Sequence, residues 1–440
     1  MSESNTPIAW PFTHVTRNIE IVGSGGAFLI DAGGRRILDA AGGAIVANVG
    51  HGRASVAQAV YHATKTTTYV VPPWLTTERR RLVDRLRERW LPPRFDHIHL
   101  TCGGSEGVET AMKIAIQYHA ARGQPQRNKI IGRSVSYHGT TLATTAVGGH
   151  TARKKGLAHV LEPYPNAPTP YPLRCPLGPN HPDVGRYYVD ALERVIESEG
   201  ADTIAAFLGE PINGSSGGAI VPPNDYWPAV RELCDRYGIV LIMDEVMTGF
   251  GRTGKRFGFQ HWNIEPDVFV SGKGLAGGYA PITGVFATSA IADPIAQAGM
   301  NVMFHTFGAH PAACAAADEV LRLLEEEDLV HRAALAGDAL QKRLKDALGN
   351  HPHVAEVRGR GLLQAIEIVK NRSTLEPYDA ADNVTNRVVG AALKRGVFFY
   401  GGGTGDVRDI VCMGPPFIIG EAEIDLMVRV LSESLDEVLR

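Results

Sequence analysis

The sequence predicts an α/β fold: a large, mostly parallel sheet covered by helices, with a smaller α+β domain formed by both chain ends. Three observations predict it. Short apolar runs recur through the middle of the chain: "HIHL" (97–100), "KIIG" (129–132), "TIAAFLGE" (203–210), "GIVLIMDE" (238–245) and "DVFVSG" (267–272). Helical patterns around 105–121, 188–199 and 224–237 neighbour them, and strands interleaved with helices indicate a sheet buried on both faces. At 440 residues the chain can bury one large core and a smaller one, so two domains are expected.

Taken in order, residues 1–60 form an N-terminal arm and part of the small domain, 61–320 the large domain, and 321–440 the rest of the small one. "GGAFLIDAGGRRILDAAGG" (25–43) reads as short antiparallel strands joined by Gly-containing turns. "ERRRLVDRLRERW" (78–90) looks basic enough for nucleic acid, but Leu82, Val83, Leu86 and Trp90 recur at helical spacing. It is the solvated face of an amphipathic helix. The proline-rich piece 162–185 reads as a surface loop, neither strand nor helix. Beyond residue 320 come a charged helix to about 347, a strand at 361–369, a helix near 383–395 and a final helix from about 420.

Whole-chain properties exclude several classes. A formal net charge of −3 and a pI near 6.6 give no general pull toward nucleic acid or anionic membrane. The five cysteines, Cys102, Cys175, Cys234, Cys314 and Cys412, contain no CxxC pair, which fits a reducing compartment and a cytoplasmic protein. No stretch reaches the length of a membrane span, and "MSESNTPIAWPF" lacks a leader pattern.

Chemistry concentrates at the ends of two apolar runs. Lys273 follows "DVFVSG" among four glycines, where open α/β sheets place ligands. The ordinary reading is a solvated loop lysine; one held in such a crevice loses solvation and becomes a nucleophilic amine. Asp244 ends "GIVLIMD", and its ordinary reading is a turn cap. An amine and a carboxylate converging on one crevice are what pyridoxal phosphate (PLP) requires: the lysine for a Schiff base, the acid to keep the pyridine nitrogen protonated. Gly103, Gly104 and Ser105 lead into a helix with Val108, Met112, Ala115, Ile116 and His119 on its inner face. Such a helix start binds phosphate, or is simple capping. In "SVSYHGTT" (134–141), Tyr137 beside His138 suits stacking on a flat ring, with plain core as the alternative. "HIH" (97–99) lacks a third metal ligand, Cys175 and His181 lack partners, and "VGSGGAF" (22–28) lacks dinucleotide-binding spacing, so neither metal nor nicotinamide is expected.

Together these pieces resemble the class III aminotransferases, fold type I PLP enzymes that include the ω-amino acid:pyruvate group. The likeness runs from "PFTHV" (11–15) to "PPFIIGEAEID" (415–425) and is most specific over 241–282. The resemblance makes 61–320 the PLP-binding domain. It implies Lys273 as the Schiff-base lysine, Asp244 on the pyridine nitrogen, and Val246 and Tyr137 on the two ring faces, with His138 in the same cofactor shell. It also implies Gly104 and Ser105 on the phosphate, Thr306 reaching in from a second subunit, Glu210 near the ring hydroxyl, and Trp74 in the substrate pocket. A homodimer or dimer of dimers follows, with transfer from a primary amine or ω-amino acid to a keto acid, pyruvate favoured over 2-oxoglutarate. Other PLP reactions (aminomutase, racemase, decarboxylase) and a non-catalytic binding protein are the alternatives.

Two departures from the family pattern matter. Where ornithine- and 4-aminobutyrate-type members keep a carboxylate-binding arginine, this chain has Cys412, and a neutral thiol makes no bidentate clamp. Arg408, in the Gly-rich "YGGGTGDVRD" (400–409), is the nearest replacement, swung by flexible glycines. "AAGGAIVANVGH" (40–51) is small where many relatives carry aromatics, which implies a roomier pocket.

Overall fold

The computed structural model describes residues 19–300 and 304–439. "PFTHV" and the leader reading lie outside the described residues. Seven strands build the large sheet: β1 (His97–Thr101), β2 (Lys129–Arg133), β3 (Asn166–Ala167), β4 (Ile204–Gly209), β5 (Val240–Asp244), β6 (Val268–Ser271) and β7 (Thr283–Ala287). Their order is β1-β7-β6-β5-β4-β2-β3. All neighbours are parallel except β7, which runs antiparallel to both β1 and β6.

Alternation along the central strands shows why apolar runs form them. Ala206, Leu208, Val240, Ile242, Val268 and Val270 pack in one cluster with Val108, Ala111, Met112 and Ala115 of the helix Gly104–Ala121. The intervening Phe207, Leu241, Met243 and Phe269 face the main core. Each strand is therefore buried on both faces, as a helix-covered parallel sheet requires. Phe269 sits in an aromatic nest, 4.6 Å from Phe286 and 4.8 Å from both Phe95 and Phe257, measured between ring centroids.

Two smaller sheets take strands from near the ends. Ile21–Gly25, Phe28–Asp31 and Arg36–Asp39 form an antiparallel set, joined in parallel by Val397–Phe398 through Val397 opposite Leu38. Val354–Arg360, Leu363–Ile368, Val407–Met413 and Tyr400–Thr404 form the other, all antiparallel. Helices Val384–Lys394 and Glu421–Val438 begin and end close to the sequence expectations. In the basic run, Leu82, Leu86 and Trp90 are buried, and Arg85 pairs with Asp318 and Glu325. No helix among the described residues is long and apolar enough to cross a membrane.

Four local expectations change. The proline piece contributes β3, beside β2: Pro165 and Ala167 offer carbonyls to the amides of Gly132 and Ser134, which needs no proline N–H at this sheet edge. The helix after it starts at Val184 (Val184–Glu199), inside the piece read as loop. The single charged helix is two, Pro311–Glu326 and Leu329–Leu348, separated where Asp328 adopts φ 49°. The Gly-rich stretch expected to be flexible is a hairpin, Tyr400–Thr404 paired with Val407–Met413. Replacing Phe269 with Ala should cost about 3–5 kcal/mol of stability by opening the aromatic nest. Thermal unfolding of the variant checks it; an unchanged melting temperature would refute the packing role.

Candidate active site

The parallel register of β5 and β6 sets Asp244 opposite Val270, so the carboxylate lies next to the strand whose exit carries Lys273. Both line one cavity of about 510 Å³, together with Val46, Gly104, Ser105, Tyr137, His138, Glu210 and Val246. The chain bends sharply to get there. Lys273 takes φ 31°, an unfavoured region for a residue with a side chain, and such strain persists only where the surroundings enforce it.

Asp244 is 5 % exposed. Its Oδ1 accepts the Val246 N–H at 3.0 Å, and its Oδ2 lies 2.8 Å from Nδ1 of the buried His138. Nε2 of His138 is buried with no hydrogen-bond partner among the described residues. Glu210 is equally buried: Oε1 accepts the Gly214 N–H at 2.9 Å, and Oε2 faces Arg133 at 3.2 Å and Asn213 at 3.0 Å. Burial pushes the Glu210 carboxyl up, opposed by the Arg133 charge. Loss of solvation brings Lys273 down to about 8, against attraction by Asp244 and Glu210 and with repulsion from Arg252 in the same direction. An amine so placed is largely free base at mildly alkaline pH.

A phosphate cradle lines the same cavity. The helix Gly104–Ala121 starts at the cavity with Gly104 and Ser105. A Cβ at Gly104 would come within 3.0 Å of Val246, and one at Gly139 within 2.6 Å of the Ser105 hydroxyl, so both glycines keep this wall open. Ser105 Oγ accepts the Thr140 N–H at 3.0 Å. Free amide N–H groups at a helix start favour a dianion.

The structure thus gathers Lys273, Asp244, Tyr137, His138, Val246, Gly104, Ser105 and Glu210 around one cavity. It does not bring Trp74, Thr306 or Arg408 to that cavity within this chain. Trp74 is 68 % exposed, and Thr306 is exposed as well. Arg408 lines a neighbouring cavity, its Nε donating to the Gly405 carbonyl, and the glycines expected to swing it are locked in a strand. Cys412 is buried near Lys273 and Arg358, its thiol pushed up to about 12 by burial. Sequence reasoning missed Arg133, the partner of Glu210. A lone arginine closing the apolar run "KIIGR" was the available signal.

A buried amine near neutrality, a buried acid beside it and an anion cradle in the same cavity define a site for an aldehyde cofactor carrying a phosphate, namely PLP. Comparison with known proteins agrees. The family described as aminotransferase class-III matches residues 12–435. The putrescine–pyruvate aminotransferase of Pseudomonas aeruginosa is 34% identical over 426 residues, covering 94% of this chain and 89% of the relative. An (S)-enantioselective omega-transaminase from Thermomicrobium roseum superposes with a TM-score of 0.91 at 36% identity, over 96% of this chain and 93% of its own. A PLP-bound amine transaminase from an uncultivated Pseudomonas species gives 0.91 at 34% identity, over 100% and 98%. This chain belongs to the class III aminotransferases, PLP-dependent enzymes that move an amino group from an amine to a keto acid.

Lysine burial has a measurable consequence. The folded value of about 8 lies below the ordinary 10.5, so between those pH values the unfolded chain binds more protons at this residue. Its contribution to stability therefore rises with pH across that window, and below about 8 the cost of the buried charge is fully present. Cofactor-free Lys273→Met should exceed the wild type in stability by about 1–3 kcal/mol at pH 7, with the gap closing toward pH 10. Melting temperatures at the two pH values check this; a variant less stable at pH 7 would refute it.

Proposed function

We propose that this enzyme transfers an amino group from a primary amine or ω-amino acid to pyruvate in two half-reactions. The observation that carries the reading is Lys273: an amine drawn down to about 8 in the same cavity as buried Asp244. When bound, PLP supplies an aldehyde to engage the amine and a ring that accepts electrons from the substrate carbon. The residues present suit that group. Asp244, fixed by the Val246 amide and His138, would face the ring nitrogen and favour its protonated form. Tyr137 and Val246 would hold the two faces, Gly104 and Ser105 the phosphate, and Glu210 the neighbourhood of the ring hydroxyl. Lys273 Nζ would first bind the aldehyde, then, once displaced, take a proton from the substrate carbon and deliver it to the cofactor carbon. Its depressed basicity suits both tasks.

We read the chain as working as a homodimer or dimer of dimers. Leu75 at 54 % and Phe304 and Phe307 at 60 % exposure, with Trp74, supply apolar surface that a second copy would cover. Thr306 and Trp74 would then serve the site of the other protomer. Pyruvate as acceptor is supported by the putrescine–pyruvate relative, and a cytoplasmic setting by five free cysteines.

Incubating the PLP-loaded protein with an amine panel and pyruvate should yield alanine, with the cofactor absorbance shifting on amine addition alone. Asp244→Ala should lower kcat by about 10²–10³-fold, the scale of losing one preorganised charged group, and Lys273→Ala should abolish turnover. If 2-oxoglutarate outperforms pyruvate, the acceptor assignment is wrong; if no amine shifts the cofactor spectrum, the reaction class is wrong. Size-exclusion chromatography should show no monomer at micromolar concentration, and a monomeric active enzyme would remove the shared-site reading.

A further inference from the structure

A keto acid brings a carboxylate into the site, and the two positions expected to meet it do not: Cys412 is a buried neutral thiol, and Arg408 lies outside the cofactor cavity, bonded to the Gly405 carbonyl and paired with Asp406. The other arginines around the site are committed elsewhere. Arg358 donates to the carbonyls of Gly217 and Gly218 and to Glu367. Arg252 donates to the carbonyls of Ala47 and Pro415, and Arg133 to Glu210.

Arg153 differs from all of these. It lies in the short helix Thr151–Lys154, is exposed, and makes no ion pair among the described residues. Its guanidinium carbon stands 4.7 Å from the ring centroid of Tyr137, the aromatic that lines the cofactor cavity. Around it opens a second cavity of about 630 Å³, lined also by His150, Ser215, Tyr400 and Arg408. Ser215 belongs to both cavities, so the two adjoin there. Tyr400 lies near Arg153, Tyr137 and Cys412, and of these only Arg153 is charged.

We propose that Arg153 is the residue that grips the substrate carboxylate, a role that rests on the transaminase reading above. Contact with the tyrosine ring restrains the guanidinium but consumes none of its N–H donors, so they stay available for a carboxylate at the junction of the cavities. A substrate with an anionic end would reach across Tyr137 toward Arg153 and the second cavity, while an amine without one would occupy the cofactor cavity alone. Dual acceptance of charged and uncharged donors then needs no moving arginine at position 408.

The test compares half-reactions of the PLP-loaded enzyme with L-alanine and with 1-phenylethylamine, followed by cofactor absorbance. Arg153→Met should raise the half-saturating concentration of L-alanine about 10- to 100-fold, the scale of a lost charge-assisted hydrogen bond. With 1-phenylethylamine it should change by less than about threefold. Arg153→Lys, which keeps the charge and loses the fork, should recover part of the alanine affinity. Equal losses for both amines in Arg153→Met would overturn the proposal in favour of simple support for Tyr137, and an unaffected alanine reaction would overturn it outright. A larger alanine penalty in Arg408→Met would return the role to Arg408. A wild type that converts neither amine would overturn the transaminase reading and this assignment with it; conversion of both without a selective penalty overturns only the assignment.

Discussion

Parallel pairing of β5 with β6 is the constraint on which the site depends. With Asp244 registered against Val270, the acid and the chain leading to Lys273 emerge together at the C-terminal ends of these central strands. A slip of one residue would turn Val268 and Val270 out of the helix-facing cluster and Phe269 out of its aromatic nest. Hydrophobic packing on both faces therefore fixes the position of the polar pair at the ends of these strands. The strained backbone of Lys273 is held by bonds on either side of it: Ser271 donates to the Glu245 carbonyl at 2.9 Å, and Gly277 N–H returns to the Lys273 carbonyl at the same distance.

Buried arginines do the work of joining the smaller sheets to the large one. Arg358, on the strand Val354–Arg360, reaches the carbonyls of Gly217 and Gly218 in the loop after Glu210, while Glu356 and Glu367 balance its charge. Arg252 ties three separate segments through carbonyls of Ala47, Leu362 and Pro415 and rests on Phe417 at 4.6 Å. Burial without a contacting carboxylate pulls its guanidinium down to about 9. A buried charge satisfied by carbonyls costs much to strand, so these contacts favour one arrangement of Val46, Gly214 and Ser215 around the cavity. They also explain why arginines near the site are poor carboxylate receptors.

Much of this was legible in the chain because burial on both strand faces writes apolar runs that stop at a functional residue, as "GIVLIMD" and "DVFVSG" do. Asn166–Ala167 was not, since a two-residue edge strand between prolines has no periodicity to read. The Gly400s hairpin was hidden for a related reason: Gly401, Gly402 and Gly403 have no side chains with which to alternate, although a Cβ at Gly402 would press on the Ser215 backbone. Arg133 and Arg153 were overlooked because what marks them is spatial. One meets Glu210 across the sheet, the other meets Tyr137 through a loop, and neither contact leaves a spacing in sequence.

The neutral thiol of Cys412 lets substrate recognition and proton transfer rest on separate groups. Its thiol lies near Lys273, so a guanidinium in its place would add a second cation, besides Arg252, pressing on the lysine. That would favour the free amine further while weakening the attraction that Asp244 and Glu210 supply. With a neutral thiol, the lysine answers to burial, to Asp244, to Arg252 and to Glu210. Moving the carboxylate grip outward to the surface of Tyr137 keeps that charge away from the reacting amine.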